Sequence, residues 1–203
     1  MSTTVPHTAG RPRAFDEEAV LSRLTSLFWK KGYGHTSMTD IVDASGVHKP
    51  SLYRTFGSKE ELFATVLRRY HGEQLGMLTQ LQAESGPGIA GIHTFFDKFE
   101  EFAGTEDGSL GCLLVMSANE LRGSTPGYED FATAYGRALR TQMTSLAAQA
   151  LSAGTENDVL TGQRAEMLSM MFLGLQVTIR SQTGAEHVRS AFAAIHALVD
   201  TWQ

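Results

Sequence analysis

At 203 residues the chain is long enough for a large core, in one domain or two small ones. A formal charge of −5 argues against a molecule that coats nucleic acid indiscriminately, and a single cysteine, Cys112, excludes an internal disulfide and suggests a reducing compartment. The N-terminus lacks the apolar segment of a secretory signal, and the longest apolar uncharged run, Met167 to Ile179, falls well short of the ~20 residues of a membrane span, so a cytoplasmic protein without a membrane partner is expected.

The charge is unevenly spread. Residues 1–57 hold seven Lys and Arg against five Asp and Glu, and residues 58–203 hold ten against seventeen. A mildly basic head on an acidic body suits a protein that meets phosphates with one end only. Residues 1–13 show no periodicity and read as a flexible arm, solvated or reaching DNA through Arg11 and Arg13. Asp16 should cap a first helix, with Glu17 and Glu18 in its first turn, Lys30 and Lys31 in its last, and Val20, Leu24, Leu27 and Phe28 as its inner stripe up to Gly32.

The stretch from Thr36 to Phe63 then organises the chain. Ser37 can cap a short helix with Asp40 three residues on and Ile41, Val42 and Ala44 as its buried side. Ser45-Gly46 breaks it, Val47 points inward, and a second short helix begins around His48 to Pro50, with Leu52 and Phe56 on its inner face. Gly57 ends that helix, and Ser58 to Glu61 is a capping box opening a third. Two short helices joined by a glycine turn are a helix-turn-helix, whose second helix enters a DNA major groove. No carboxylate occurs from Ser45 through Lys59; the outward side chains are imidazole, ammonium, guanidinium and hydroxyl groups, which suit phosphates and base edges.

The same residues, KKGYGHTSMTDIVDASGVHKPSLYRTFGSKEELF, resemble the DNA-binding domain of TetR-family transcriptional regulators. Where that family often has Ser or Thr before the lysine and Gly after it, this chain has His48 and Pro50, a departure that bears on base preference. The expected DNA-binding residues are Thr36, Ser37, Thr39, His48, Lys49, Pro50, Ser51, Tyr53, Arg54 and Lys59.

The rest reads as helical throughout. A long helix runs from Ser58 to about Glu84, and Ser85-Gly86-Pro87-Gly88 is the clearest break. Ile89 to Phe102 form an aromatic helix, Gly111 to Leu121 a buried one, Thr125-Pro126 starts another reaching towards Gly154, and Thr161 to Thr183 is broadly apolar. The last helix places Val188, Phe192, Ile195, Val199 and Trp202 at spacings of four and three, which predicts a seam between two copies of the chain.

The fold class expected is therefore all-α: an arm over residues 1–13, a three-helix helix-turn-helix head over 14–60, and a larger helical body over 61–203. The resemblance implies that the body binds a small-molecule effector and dimerises through its last two helices, setting two heads on a palindromic double-stranded operator. Phe95, Phe99, Cys112, Met116, Tyr135, Met143 and Met171 are the candidates to line a mainly apolar effector pocket, although aromatic and Met-rich helices equally make plain core. Cys112, next to Gly111, could be activated by a helix N-terminus or pack as a small hydrophobe; no basic residue lies near it in sequence. No metal-ligand spacing, phosphate loop, nucleophile elbow or carboxylate pair appears, so no cofactor, metal or enzyme activity is expected. The function so indicated is a ligand-responsive transcriptional repressor; a nucleoid-organising protein without a small-molecule ligand is the alternative.

Overall fold

The structure, a computed structural model, describes residues 15–121, 128–150, 158–181 and 184–202. The arm with Arg11 and Arg13, the expected helix start at Thr125-Pro126 and the glycine at position 154 lie outside the described residues. Nine α-helices, one short 3-10 turn and no strand occur among the described residues.

Of the first three helices, α1 (Glu17–Lys31) and α3 (Lys49–Phe56) pack under the N-terminal half of α4 (Lys59–Ser85), and α2 (Met38–Ser45) packs on α1 and α3. Asp16 caps α1 through the amides of Glu18 and Ala19. The α1 core residues Val20, Leu24 and Phe28 are fully enclosed, and the Phe28 ring lies 4.6 Å from that of Phe63 on α4. At 27 residues, α4 spans about 40 Å. Leu62, Phe63 and Val66 near its start close the head, while Tyr70 and Leu78 enter the body, so one hydrophobic core runs unbroken through both. Gly72 and Gly76 do not interrupt this helix.

The body adds α5 (Gly88–Ala103), the 3-10 turn Gly108–Leu110, α6 (Leu113–Leu121), α7 (Tyr128–Ala150), α8 (Asp158–Arg180) and α9 (Ala185–Asp200). Helices α7 and α8 pack closely along their lengths, and α5 lies between α4, α7 and α9. The expected Gly111 start of the buried helix moves to Leu113. Gly111 has φ +66°, and a Cβ there would sit 2.6 Å from the carbonyl oxygen of Gln176 on α8, so only glycine fits this close approach.

The last helix corrects the expected seam. Phe192, Ile195 and Val199 face the chain's own core, with the Phe192 ring 5.8 Å from Phe99 on α5, and Val188 and Trp202 are half-buried against the same cluster. The four-three spacing is the stripe that α9 lays on α5 and α8 rather than a surface offered to a second copy. The outward face of α9 instead carries the small residues Ala193, Ala194 and Ala197, and α8 exposes Met170, Gly174 and Val177.

Candidate nucleic-acid interface

The head holds α3 outward through a set of local devices. Ser37 caps α2 in a full capping box: its hydroxyl accepts from the Asp40 amide at 3.2 Å, and the Asp40 carboxylate takes the Ser37 amide and hydroxyl, each at 2.7 Å. Lys31 at the end of α1 reaches the same carboxylate at 2.7 Å. That ammonium, then the Ser37 hydroxyl and amide, hold the Asp40 carboxyl well below the usual carboxylate range. Gly46 turns the chain in the left-handed region at φ +68°, where a side chain would be strained. Arg23 of α1 donates to the Ser45 carbonyl at 2.9 Å and fastens the turn from behind.

On α3, Leu52 is enclosed and Phe56 is half-buried beside Phe15, 6.2 Å between rings. The opposite face is open. His48 caps the helix only with its backbone, so its imidazole forms no side-chain cap bond, and His48, Lys49, Pro50, Tyr53, Arg54 and Thr55 are exposed. Lys49 leans over Tyr53, 5.8 Å from the ring centroid, and Tyr53 keeps 43% of its surface exposed. Among the described residues, neither Lys49 nor Arg54 has a carboxylate partner. Thr39 on α2 is exposed beside this face, and Ser51 is half-buried.

Two expected contact residues have internal duties. Thr36 is buried, its hydroxyl donating to the Gly32 carbonyl at 2.6 Å, which places it inside the α1–α2 turn rather than on the outer face. Lys59 donates to the Tyr33 carbonyl at 2.8 Å and lies 4.1 Å from the centre of that ring. It therefore ties the start of α4 to the α1–α2 loop at the edge of the candidate face. Tyr33, whose ring also packs 4.9 Å from Phe63, was not among the expected site residues; its only signal in the sequence is the Gly-Tyr pair of the quoted motif. Thr55, one residue after Arg54, is exposed on the same polar side of α3.

Besides the shared core, a buried hydrogen-bonded knot joins the head to the body. Trp29 of α1 donates its indole N–H to the Gly111 carbonyl at 3.0 Å, its ring meets Tyr70 of α4 edge-on at 5.1 Å, and the Tyr70 hydroxyl accepts from the Leu113 amide at 3.2 Å. Cys112 lies within this knot, fully buried, with its Sγ 3.9 Å from the Tyr135 hydroxyl. Burial pushes its thiol up from the ordinary value, the reverse of an activated cysteine.

The expected effector-lining residues are dispersed otherwise than the sequence suggested. Phe95, Phe99, Cys112, Tyr135 and Met143 are enclosed core, with Phe99 4.6 Å from Phe172, while Met116 is exposed and Met171 half-buried. A cavity of about 500 Å³ opens instead between α5, the 3-10 turn, α8 and the start of α9. Ala103, Ile179 and Val188 line it with Glu100 and Arg189, and none of the seven expected residues borders it. Among the described residues no group of three or more His, Cys, Asp or Glu is placed to hold a metal ion, and no helix is long and apolar enough to cross a membrane.

Comparison with known proteins adds four findings. The sequence pattern of "Bacterial regulatory proteins, tetR family" matches residues 20–66, which span α1 to the first part of α4. HTH-type transcriptional repressor ComR of Escherichia coli (strain K12) is 33% identical over 118 residues, 58% of this chain and 56% of ComR. HTH-type transcriptional repressor BdcR of the same strain is 32% identical over 132 residues, 65% of this chain and 66% of BdcR. The chain thus spans about half to two thirds of the length of these relatives. Among solved structures, a cysteine mutant of the TetR family transcriptional regulator CifR, complexed with 26 bp double-strand operator DNA, superposes with a TM-score of 0.72 at 25% identity, covering 95% of this chain and 100% of that one.

Proposed function

We propose that this chain, which belongs to the tetR family of bacterial regulatory proteins, is a transcriptional repressor that reads double-stranded DNA with α3 and works as a two-fold dimer in the cytoplasm. The observation that carries the reading is the outward face of α3: exposed, free of carboxylates, and held in position by the Ser37–Asp40 box and the Lys59–Tyr33 contact. His48, Pro50, Tyr53 and Arg54 are the side chains offered to base edges and the flanking backbone, Thr39, Ser51 and Thr55 add hydroxyls, Lys49 suits phosphates, and Lys59 acts through its hold on Tyr33 at the edge of the face. ComR and BdcR are named as repressors, and CifR is seen on operator DNA, which supports the same role here.

Two heads on a palindrome require a rigid contact between copies. The exposed faces of α8 and α9 supply one: Met170 and Val177 are apolar, and Gly174, Ala193, Ala194 and Ala197 are small enough for helices to approach closely. A small, mainly apolar effector would release DNA by binding the non-DNA state of the dimer more tightly. The knot of Trp29, Gly111 and Tyr70 gives movement in the body a direct route to α1. No enzyme activity is part of this reading.

Selection of duplexes from a random library on the full chain, followed by a salt-titrated binding assay, tests it. The expected result is a palindromic consensus, with Tyr53→Phe weakening it at unchanged melting temperature and Lys49→Ala reducing the salt slope by about one unit. Enrichment of no consensus, with equal affinity for all duplexes, would favour a nucleoid-organising protein instead.

A further inference from the structure

Two helices of the body carry the same pair of side chains four residues apart, His93 and Asp97 on α5 and His196 and Asp200 on α9. The pairs interlock across the helix contact. His93 Nε2 lies 3.0 Å from Oδ1 of Asp200, His196 Nε2 lies 3.2 Å from Oδ1 of Asp97, and the two Nδ1 atoms are 2.7 Å apart. The ring planes differ by only 16° and the centroids are 4.9 Å apart. That separation is close to the Nδ1–Nδ1 distance plus one ring radius at each end. The rings therefore meet edge to edge in nearly one plane, and the two Nδ1 lone-pair directions point at each other.

Proton counting then leaves one arrangement. An ionised carboxylate only accepts, so each Nε2 carries a hydrogen. With both Nδ1 atoms bare, two lone pairs would oppose each other at 2.7 Å; with both protonated, two N–H groups would. A single proton between them makes an N–H···N hydrogen bond and gives the pair one positive charge between two carboxylates. A metal ion does not fit the same gap, since two metal–nitrogen bonds of about 2.0–2.1 Å at a tetrahedral angle need nitrogens more than about 3 Å apart.

We infer that His93 and His196 share one proton between their Nδ1 atoms, and that this proton clasps α9 to α5, so that the hold on α9 weakens when a second proton enters and when the shared one leaves. Both imidazole side chains keep 24% of their surface exposed, so solvent protons reach them. Among the charged groups on the packed helices, Lys98 of α5 pairs with Glu84 of α4, Arg140 of α7 with Glu166 of α8, and Arg164 of α8 donates to the Trp202 carbonyl. Glu100 and Arg189 stand apart at the cavity beside the start of α9. The clasp lies on the inward side of α9, behind Ala193, Ala194 and Ala197, so loosening it would disturb the face proposed to meet a second copy. The inference concerns the chain itself and holds whether or not DNA is its partner.

Nitrogen-15 NMR of the labelled full chain tests it directly. Near pH 7, a through-hydrogen-bond coupling between the Nδ1 atoms of His93 and His196 is expected, vanishing on acidification, because a second proton leaves no acceptor between them. Over the same range the melting temperature of the wild type should fall by several degrees more than that of a His93→Gln/His196→Gln double variant. If that variant does not fold, the wild-type coupling alone decides. Independent titration of the two rings without coupling would overturn the inference. So would stoichiometric zinc shifting both Nδ1 resonances at micromolar concentration, because the site would then be a metal site.

Discussion

Phe192 separates two accounts of α9, one with its apolar stripe between copies and one with that stripe in the chain's own core. Its side chain is fully enclosed and its ring stands 5.8 Å from Phe99. Truncating an enclosed Phe to Ala removes its transfer free energy and leaves a cavity, together about 3–5 kcal/mol. For a chain of this size each kcal/mol lowers the melting temperature by about 2–4 °C, so Phe192→Ala should cost roughly 6–20 °C. Folded protein at 20 °C should keep its oligomeric state. Ala194→Arg is the converse: the site is exposed, so the fold should lose no more than about 0.5 kcal/mol, but a bulky charge enters the proposed contact between copies. Thermal melts at one fixed protein concentration, paired with sedimentation velocity, read both effects, because assembly itself raises apparent stability. Phe192→Ala dissociating the protein at unchanged melting temperature, or Ala194→Arg leaving a normal dimer, would refute the placement of α9.

Trp29→Phe keeps the edge contact with Tyr70 but strips the Gly111 carbonyl of its buried donor, so a loss of about 1–3 kcal/mol is expected by chemical denaturation, with any effector response of DNA binding blunted. An unchanged stability would mean that this bond does not join head to body. Asp40→Asn should flatten the acid limb of the stability curve. The folded-state pKa of Asp40 lies below the unfolded value near 3.9, so its contribution is complete above that value and fades as pH falls through the folded one. Equal acid limbs for variant and wild type would count against the Lys31–Asp40–Ser37 cluster. Cys112, enclosed and with its thiol pushed up by burial, should react with a thiol reagent only as fast as the chain opens; prompt labelling of the native protein would contradict its placement.

The helices of the head were legible in the sequence because caps and stops act within about four residues. Asp16, Ser37 with Asp40, Gly46, Gly57 and Ser58 with Glu61 each mark an end that the structure keeps. The outward chemistry of α3 was legible for the same reason, since Leu52 and Phe56 define its inner face and leave the rest to solvent. What periodicity leaves open is the element that each apolar stripe meets. Phe192, Ile195 and Val199 form the same stripe whether they face a second copy or α5, and only the packing of α9 across Phe99 decides it. The aromatic residues of the body look alike as core or as pocket lining, until the packing of Phe95 and Phe99 against Phe172 encloses them. Thr36 reads as a polar surface residue until its hydroxyl folds back onto the Gly32 carbonyl. His93 and His196, 103 positions apart, carry no joint signal in the chain; the crossing of α5 and α9 alone brings their nitrogens within one proton of each other.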